Sequence, residues 1–254
     1  MALDFGAAFS ADWVSHGQDS SISTFSARTV MMWFNLDVLD DYANIFSKRS
    51  GVFLCRIMAT GGFFVNIGRS SVWHTYIATA GSLPAAGTDT FLAFTHDSTA
   101  GAPQGGIYIG TPTAPAAEVS YDTFTDGSGT IIDDSTWDLV VFSREGDAAS
   151  SPNGKCSFFS YCNSRLSLQE IHQVQFNTSY VPPSARVFTH YGIHGASGRG
   201  TQQDWSGNGN HGTVTLTTKA DHAPIQIFPR PRYWAAWAAA GYPGPFPLSR
   251  PVFN

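Results

Sequence analysis

Apolar and polar residues alternate along the chain in short runs with a period near two, and turn-forming residues interrupt the runs every few positions. This pattern predicts strands over 28–36, 42–48, 52–58, 63–67, 72–79, 90–96, 106–110, 137–143, 155–162 and 186–194. Many short strands at this spacing indicate a sandwich or a barrel. The pairs Gly61-Gly62, Gly105-Gly106, Asp126-Gly127 and Asn153-Gly154 are expected to supply the positive-φ residues of tight turns. One segment departs from the pattern. Ser167 and Glu170 have the spacing of a capping box, and Leu168, Ile171 and Val174 recur at helical intervals, which predicts one short helix over 168–176.

The final stretch, 229–254, has another character. It holds six prolines, six aromatic residues, three arginines and no acidic residue. Proline at this density cannot pair in a ladder and favours an extended path. The chain therefore divides into a sandwich over 1–228 and an extended arm over 229–254. Two tryptophans in such a segment have little means of burying themselves, so the arm is expected either to fold back along its own sandwich or, in the functional reading, to dock on a neighbouring subunit. Its anchors would be Arg230, Arg232, Tyr233, Trp234, Trp237, Tyr242, Phe246 and Phe253.

Composition sharpens this picture. Only 13% of residues are charged and Phe alone supplies 19 of 254, a balance that suits strands and turns. A net charge of −5 with three lysines gives no footprint for gripping phosphates, so nucleic acid is not an expected partner. No apolar run is long enough to cross a bilayer, and the first ten residues lack the order of a signal peptide, so the expectation is a soluble chain without the usual export leader. Cys156 and Cys162 lie six residues apart in one predicted strand, roughly 20 Å in extended geometry, too far to bridge. Together with Cys55 they read as reduced structural cysteines, which fits assembly in a cytoplasm.

Several landmarks resemble laminin-G-like, concanavalin A-like domains. They are ALDFG at 2–6, VMMW at 30–33, IFSK at 45–48, IYIG at 107–110 and RLSLQEI at 165–171, in that order. A second signature, DWSGNGNHG at 204–212, is similar to the turn and strand that usually open such domains, but here it comes late. A strand over 211–217 would then pair beside the strand near Ala2, leaving the order permuted and the sheet complete. The resemblance covers about residues 1–225 and implies an all-β antiparallel sandwich, a concanavalin A-like jelly roll, with one short helix and an extended C-terminal arm.

Chains with this late turn also resemble structural proteins of tailed bacteriophages. That likeness implies a non-catalytic virion component, a capsid decoration or surface-adhesion protein. It would be made in the host cytoplasm, sit on the outer surface of the particle, form oligomers in the assembly and contact other virion proteins such as a major capsid protein. The alternative is a lectin-like module binding host or environmental glycans, with calcium as its one conceivable cofactor; a second alternative is a glycosidase of the same fold.

Candidate chemistry narrows these options. Gly207 to Gly212 fits G-x-G-x-x-G, yet a β-forming run follows instead of a helix, so a nucleotide site is not expected. In the same turn Asp204, Ser206, Asn208 and Asn210 offer closely spaced oxygens, the kind of set calcium accepts, though Asx side chains also satisfy local backbone. His190 and His194 share a strand face roughly 13 Å apart, too far to share zinc. Retaining glycosidases need two carboxyl groups about 5 Å apart, and no E-x-D-x-x-E string exists. The three glutamates, Glu118, Glu145 and Glu170, are scattered. For a sugar, Trp13, Trp73, Tyr76 and Trp137 are the candidate platforms, with Trp33 and Trp137 reading more readily as core.

Overall fold

The run from Val30 to Phe34 has no polar position to turn toward water, so a strand through it must be covered on both faces. The computed structural model shows how, and describes residues 2–4, 13–18, 20–48, 52–143, 151–191, 200–215 and 218–220. Its strands are β1 (Ala2–Asp4), β2 (Trp13–Ser15), β3 (Ala27–Leu36), β4 (Asn44–Lys48), β5 (Phe53–Ile57), β6 (Phe63–Ile67), β7 (His74–Ala78), β8 (Thr90–Asp97) and β9 (Gly105–Gly110). They continue as β10 (Ala117–Glu118), β11 (Tyr121–Thr125), β12 (Leu139–Val141), β13 (Gly154–Cys162), β14 (Arg186–Tyr191), β15 (Gly200–Gln202), β16 (Gly212–Thr215) and β17 (Thr218–Ala220).

All pairings among them are antiparallel, and they form two sheets, a β-sandwich as the sequence predicts. The first runs β10-β9-β8-β3-β13-β1-β17, with β14 also on β13; the second runs β11-β7-β6-β5-β4-β12-β2-β16-β15. Strand β13 is the hinge of the first sheet. One edge pairs with β3 along its length, while the other is shared between β1, at Lys155 and Cys156, and β14, from Phe158 to Cys162.

The expected closing pair is corrected in one respect. The strand beside Ala2 is β17, with Ala2 opposite Ala220, whereas β16 lies in the other sheet between β2 and β15. Period-two geometry explains the swap: Val14 and Val214 stand opposite each other and are both buried in the core, a match available only in the second sheet. Gly105 and Gly106 are also not a turn but open β9, where a Cβ on Gly105 would lie 2.5 Å from the Thr95 carbonyl. Gly61, at φ 72°, does make the expected turn before β6.

Between the sheets lies a layer of apolar and aromatic side chains, among them Val30, Met32 and Phe34 of β3, Phe53 of β5, Phe94 of β8 and Phe159 of β13. The other face of β3, carrying Met31 and Trp33, is covered by the helix α1 (Leu168–Phe176) through Ile171 and Val174. Ser167 caps α1 with the predicted capping box. Gln175 then ties the helix to the 111–116 loop, donating to Thr111 O and Ala114 O and accepting from Ala116 N at 2.7 Å. Trp33 Nε1 donates to Gln175 O, so the buried indole has its partner. Cys55, Cys156 and Cys162 are buried free thiols, and burial pushes Cys156 and Cys162 up to about 12.

These contacts set a graded response to truncation. Ile171→Ala should cost about 2–5 kcal/mol of stability and Ser167→Ala about 1 kcal/mol, read as shifts in urea midpoint at constant slope.

Candidate functional site

The DWSGNGNHG turn folds around its one carboxylate. Asp204 is buried, and its Oδ1 accepts from Thr189 N and Ser206 N while its Oδ2 accepts from Ser206 Oγ and Asn210 N, at 2.7–3.0 Å. Burial pushes this carboxyl up, but the donors outweigh it and hold it below its ordinary value. Asn208 Nδ2 donates to Arg186 O and Val187 O, and Asn210 Nδ2 to Val187 O, while Asn210 Oδ1 accepts from Ser21 Oγ. Gly207 and Gly209 supply the positive φ that closes the loop. The turn thus staples β14 of the first sheet to β16 and to the segment before β3. Among the described residues no three His, Cys, Asp or Glu side chains are gathered as a metal site.

His190 faces His16 rather than a distant histidine on its own strand. The two rings lie 4.6 Å apart, and His16 stacks on Phe188 at 4.1 Å. His190 Nδ1 donates to Gln203 O at 2.7 Å. Burial holds His16 well below the usual range and lowers His190 to about 4. His194 and Glu145 lie outside the described residues, as do the eight arm residues from Arg230 to Phe253.

Of the tryptophans and tyrosines proposed as sugar platforms, only Trp73 exposes its ring, at 38%. Tyr76 is fully buried on the inner face of β7 beneath Phe124, with its hydroxyl donating to Asp126. Trp13 and Trp137 are half-buried, and Trp137 sits in the turn before β12 rather than in a strand. Trp33 is core, as expected.

A different surface emerges on the outer face of the second sheet. Register places Asn44 opposite Arg56, Arg56 opposite Phe64 and Phe64 opposite Ile77, one cross-strand row from β4 to β7. The Arg56 guanidinium lies 4.3 Å from the Phe64 ring centre and 4.6 Å from that of Tyr42. Tyr42 is 54% exposed and holds φ at 64°, a left-handed conformation costly for a bulky residue. The turn is pinned there: Tyr42 N donates to Ile57 O, Ile57 N to Ala43 O, and Ala59 N to the Asp41 carboxylate. Beside this row Thr75 donates to Asn66, both half-exposed. The face thus presents two aromatic rings, a planar cation, an amide and a hydroxyl, all on a rigid sheet. Sequence reasoning missed it, although two signals were present. Arg56 interrupts an apolar run, and consecutive Phe63 and Phe64 must point to opposite faces.

No protein-family model matches the chain, and no curated protein matches it. Among solved structures, a supposed carbohydrate-binding protein of Bacteroides ovatus superposes with a TM-score of 0.60 at 20% identity over 89% of this chain. This chain covers 61% of that protein's length. A heptameric pentraxin of the serum amyloid P type from Limulus polyphemus gives a TM-score of 0.44 at 9% identity over 68% of this chain and 80% of its own. Domain 4 of AbnA, an extracellular arabinanase of Geobacillus stearothermophilus bound to arabinotriose, gives 0.36 at 10% identity, over 61% of this chain and 69% of its own. The first of these likenesses shows the fold: an antiparallel jelly-roll sandwich.

The buried histidines make stability depend on pH. Burial lowers His74 and His190 to about 4 and His96 to about 2, whereas the unfolded chain titrates near 6.5. Between pH 6.5 and about 4 the unfolded state binds protons that the folded state refuses, so this stability is whole above pH 6.5 and drains as pH falls. Urea unfolding should show a loss of up to about 1.4 kcal/mol per pH unit per histidine. His190→Asn, which keeps a donor for Gln203, should remove part of the slope, and an unchanged slope would contradict the assignment.

Proposed function

We propose that this chain is a non-catalytic carbohydrate-binding module that holds its ligand against the outer face of the second sheet. One observation carries the reading: Tyr42, a bulky exposed residue, is kept in a strained backbone conformation with its ring against the Arg56 guanidinium, which also lies against Phe64. Such strain persists where its surroundings over-determine it, and it gathers at ligand-binding positions. Flat aromatic rings offer a sugar an apolar surface at little entropic cost, while Arg56, Asn66 and Thr75 offer the hydrogen bonds that fix its hydroxyls. The Bacteroides ovatus protein of like fold adds support, as an analogy between folds.

A virion role rests on the sequence likeness and on the arm over 229–254, which lies outside the described residues; neither the fold nor the neighbouring structures adds support to it.

A glycan array followed by titration of the best saccharide tests the proposal. Tyr42→Ala and Phe64→Ala should each weaken binding about tenfold, the equivalent of roughly 1.4 kcal/mol. Tyr42→Gly separates binding from folding: it should lose affinity equally while relieving the positive φ, so its unfolding midpoint should hold or rise. Chelator should leave affinity unchanged, because the Asp204 oxygens are occupied by Thr189 N of β14 and by Ser206 and Asn210 of the loop itself. Wild-type affinity in both alanine variants would overturn the reading.

A further inference from the structure

At one end of the sandwich the apolar layer stops at two arginines and two histidines. Arg28 of β3 and His96 of β8 are cross-strand partners on the inner face of the first sheet, and both are fully buried. From the second sheet His74 comes within 4.3 Å of His96, ring centre to ring centre, and Arg69 precedes it on the 68–73 turn at 8% exposure. Both guanidiniums act on both imidazoles and depress their protonation, after burial itself.

The hydrogen bonding of this cluster is incomplete, and most of what is missing is partners for donors. Arg28 spends Nη2 on Phe25 O at 2.6 Å and rests its guanidinium on the Phe53 ring, yet its Nε and Nη1 have no partner. Arg69 Nε and Nη1, both ring nitrogens of His96, and the Tyr161 hydroxyl are likewise buried without one. His74 Nδ1 accepts from Gly127 N at 2.7 Å, so its proton is on Nε2, which also lacks a partner. Two carboxylates reach the cluster electrostatically: Asp134 acts on Tyr161, and Asp126, which acts on His74, accepts from Tyr76 and from Gln104 N through Oδ1. Gln104 Oε1 is the one unmatched acceptor there that can never donate. The wall is tightly fitted, since a Cβ on Gly127 would lie 2.7 Å from His74 N and 3.0 Å from Arg69 Cγ.

A buried guanidinium without a counter-charge is costly, and two sharing one chamber are more so. Water would satisfy donors without neutralising either charge. A metal ion would be repelled by cations that cannot deprotonate. An oxyanion meets both needs, because guanidinium forks match its oxygens and imidazole N–H groups can complete its shell.

We propose that the Arg28, Arg69, His74 and His96 chamber binds the oxyanion group of a small ligand, the carboxylate of a sugar acid or a free inorganic oxyanion. The site is separate from the Tyr42 face, and neither reading depends on the other.

The test is thermal unfolding of the full chain with D-glucuronate, inorganic phosphate or D-glucose, at ionic strength matched with chloride. Near saturation an anion should raise Tm by about 5 °C or more, and glucose at the same concentration should not. A shift with glucuronate alone assigns the site to a sugar acid; an equal shift with phosphate assigns it to a free oxyanion. Arg28→Met and Arg69→Met should each abolish the shift while leaving the unliganded Tm equal or higher, since each removes an unpaired buried cation and keeps its bulk. Should Arg28→Met not fold, Arg69→Met carries the test. No shift with either anion, or a full shift surviving in Arg69→Met, would overturn the proposal. Tyr42→Ala should keep the anion shift whatever it does to glycan binding, so the two readings fail separately.

Discussion

A layer of aromatic rings between two sheets governs everything else in this structure. Phe53, Phe94, Phe159, Tyr161 and Phe188 contact one another or share neighbours across the sandwich, and sheets packed this way stand about 10 Å apart. At that spacing a side chain on an inner face either joins the apolar layer or must be satisfied in a confined space. The layer therefore decides which polar groups become buried. Histidines and arginines placed at its margins lose water without leaving the protein, and their chemistry changes accordingly. His16 and His190 settle against Phe188 with carbonyl partners, whereas Arg28, Arg69 and His96 find too few.

The outer faces are handled in opposite ways. On the first sheet, Met31, Trp33, Phe91 and Phe158 are apolar, and α1 covers them. On the second sheet the outward positions Arg56, Phe64, Asn66 and Thr75 are mixed, and they remain half-exposed. This asymmetry makes one face a packing surface and leaves the other open, the face on which the proposed ligand would lie. The Asp204 loop is bound up with its own backbone and with β14. Its link to the early part of the chain is the hydrogen bond from Ser21 Oγ to Asn210 Oδ1, between residues distant in sequence.

Much of the architecture was legible because period-two alternation is a local signal. The strand at Phe63–Ile67 and the helix Leu168–Phe176 stand where the spacing places them, and Ser167 with Glu170 marks the cap. The short strands Trp13–Ser15, Ala117–Glu118 and Gly200–Gln202 were not legible, since two or three residues carry no period. The pairing of the late strands was misread for a related reason. Which sheet a strand joins depends on a partner far along the chain, and Val14 opposite Val214 has no local signature. The candidate sites were harder still. Tyr42 looked like the start of a strand, and its left-handed φ is visible only in three dimensions. Arg28, His74 and His96 sit in ordinary strand patterns where nothing announces that they face one another.

The pairing of Ala2–Asp4 with Thr218–Ala220 has a consequence for how such a module can be used. Residues 2 and 220 are neighbours across one ladder, so between them the backbone describes nearly a closed ring. A domain of that form can be spliced into a surface loop of another chain with both joins at a single point, and the host need open its own loop by little more than one strand spacing, about 5 Å. A second ladder, β2 with β16 in the other sheet, ties the same early and late segments, so the ring is closed once in each sheet.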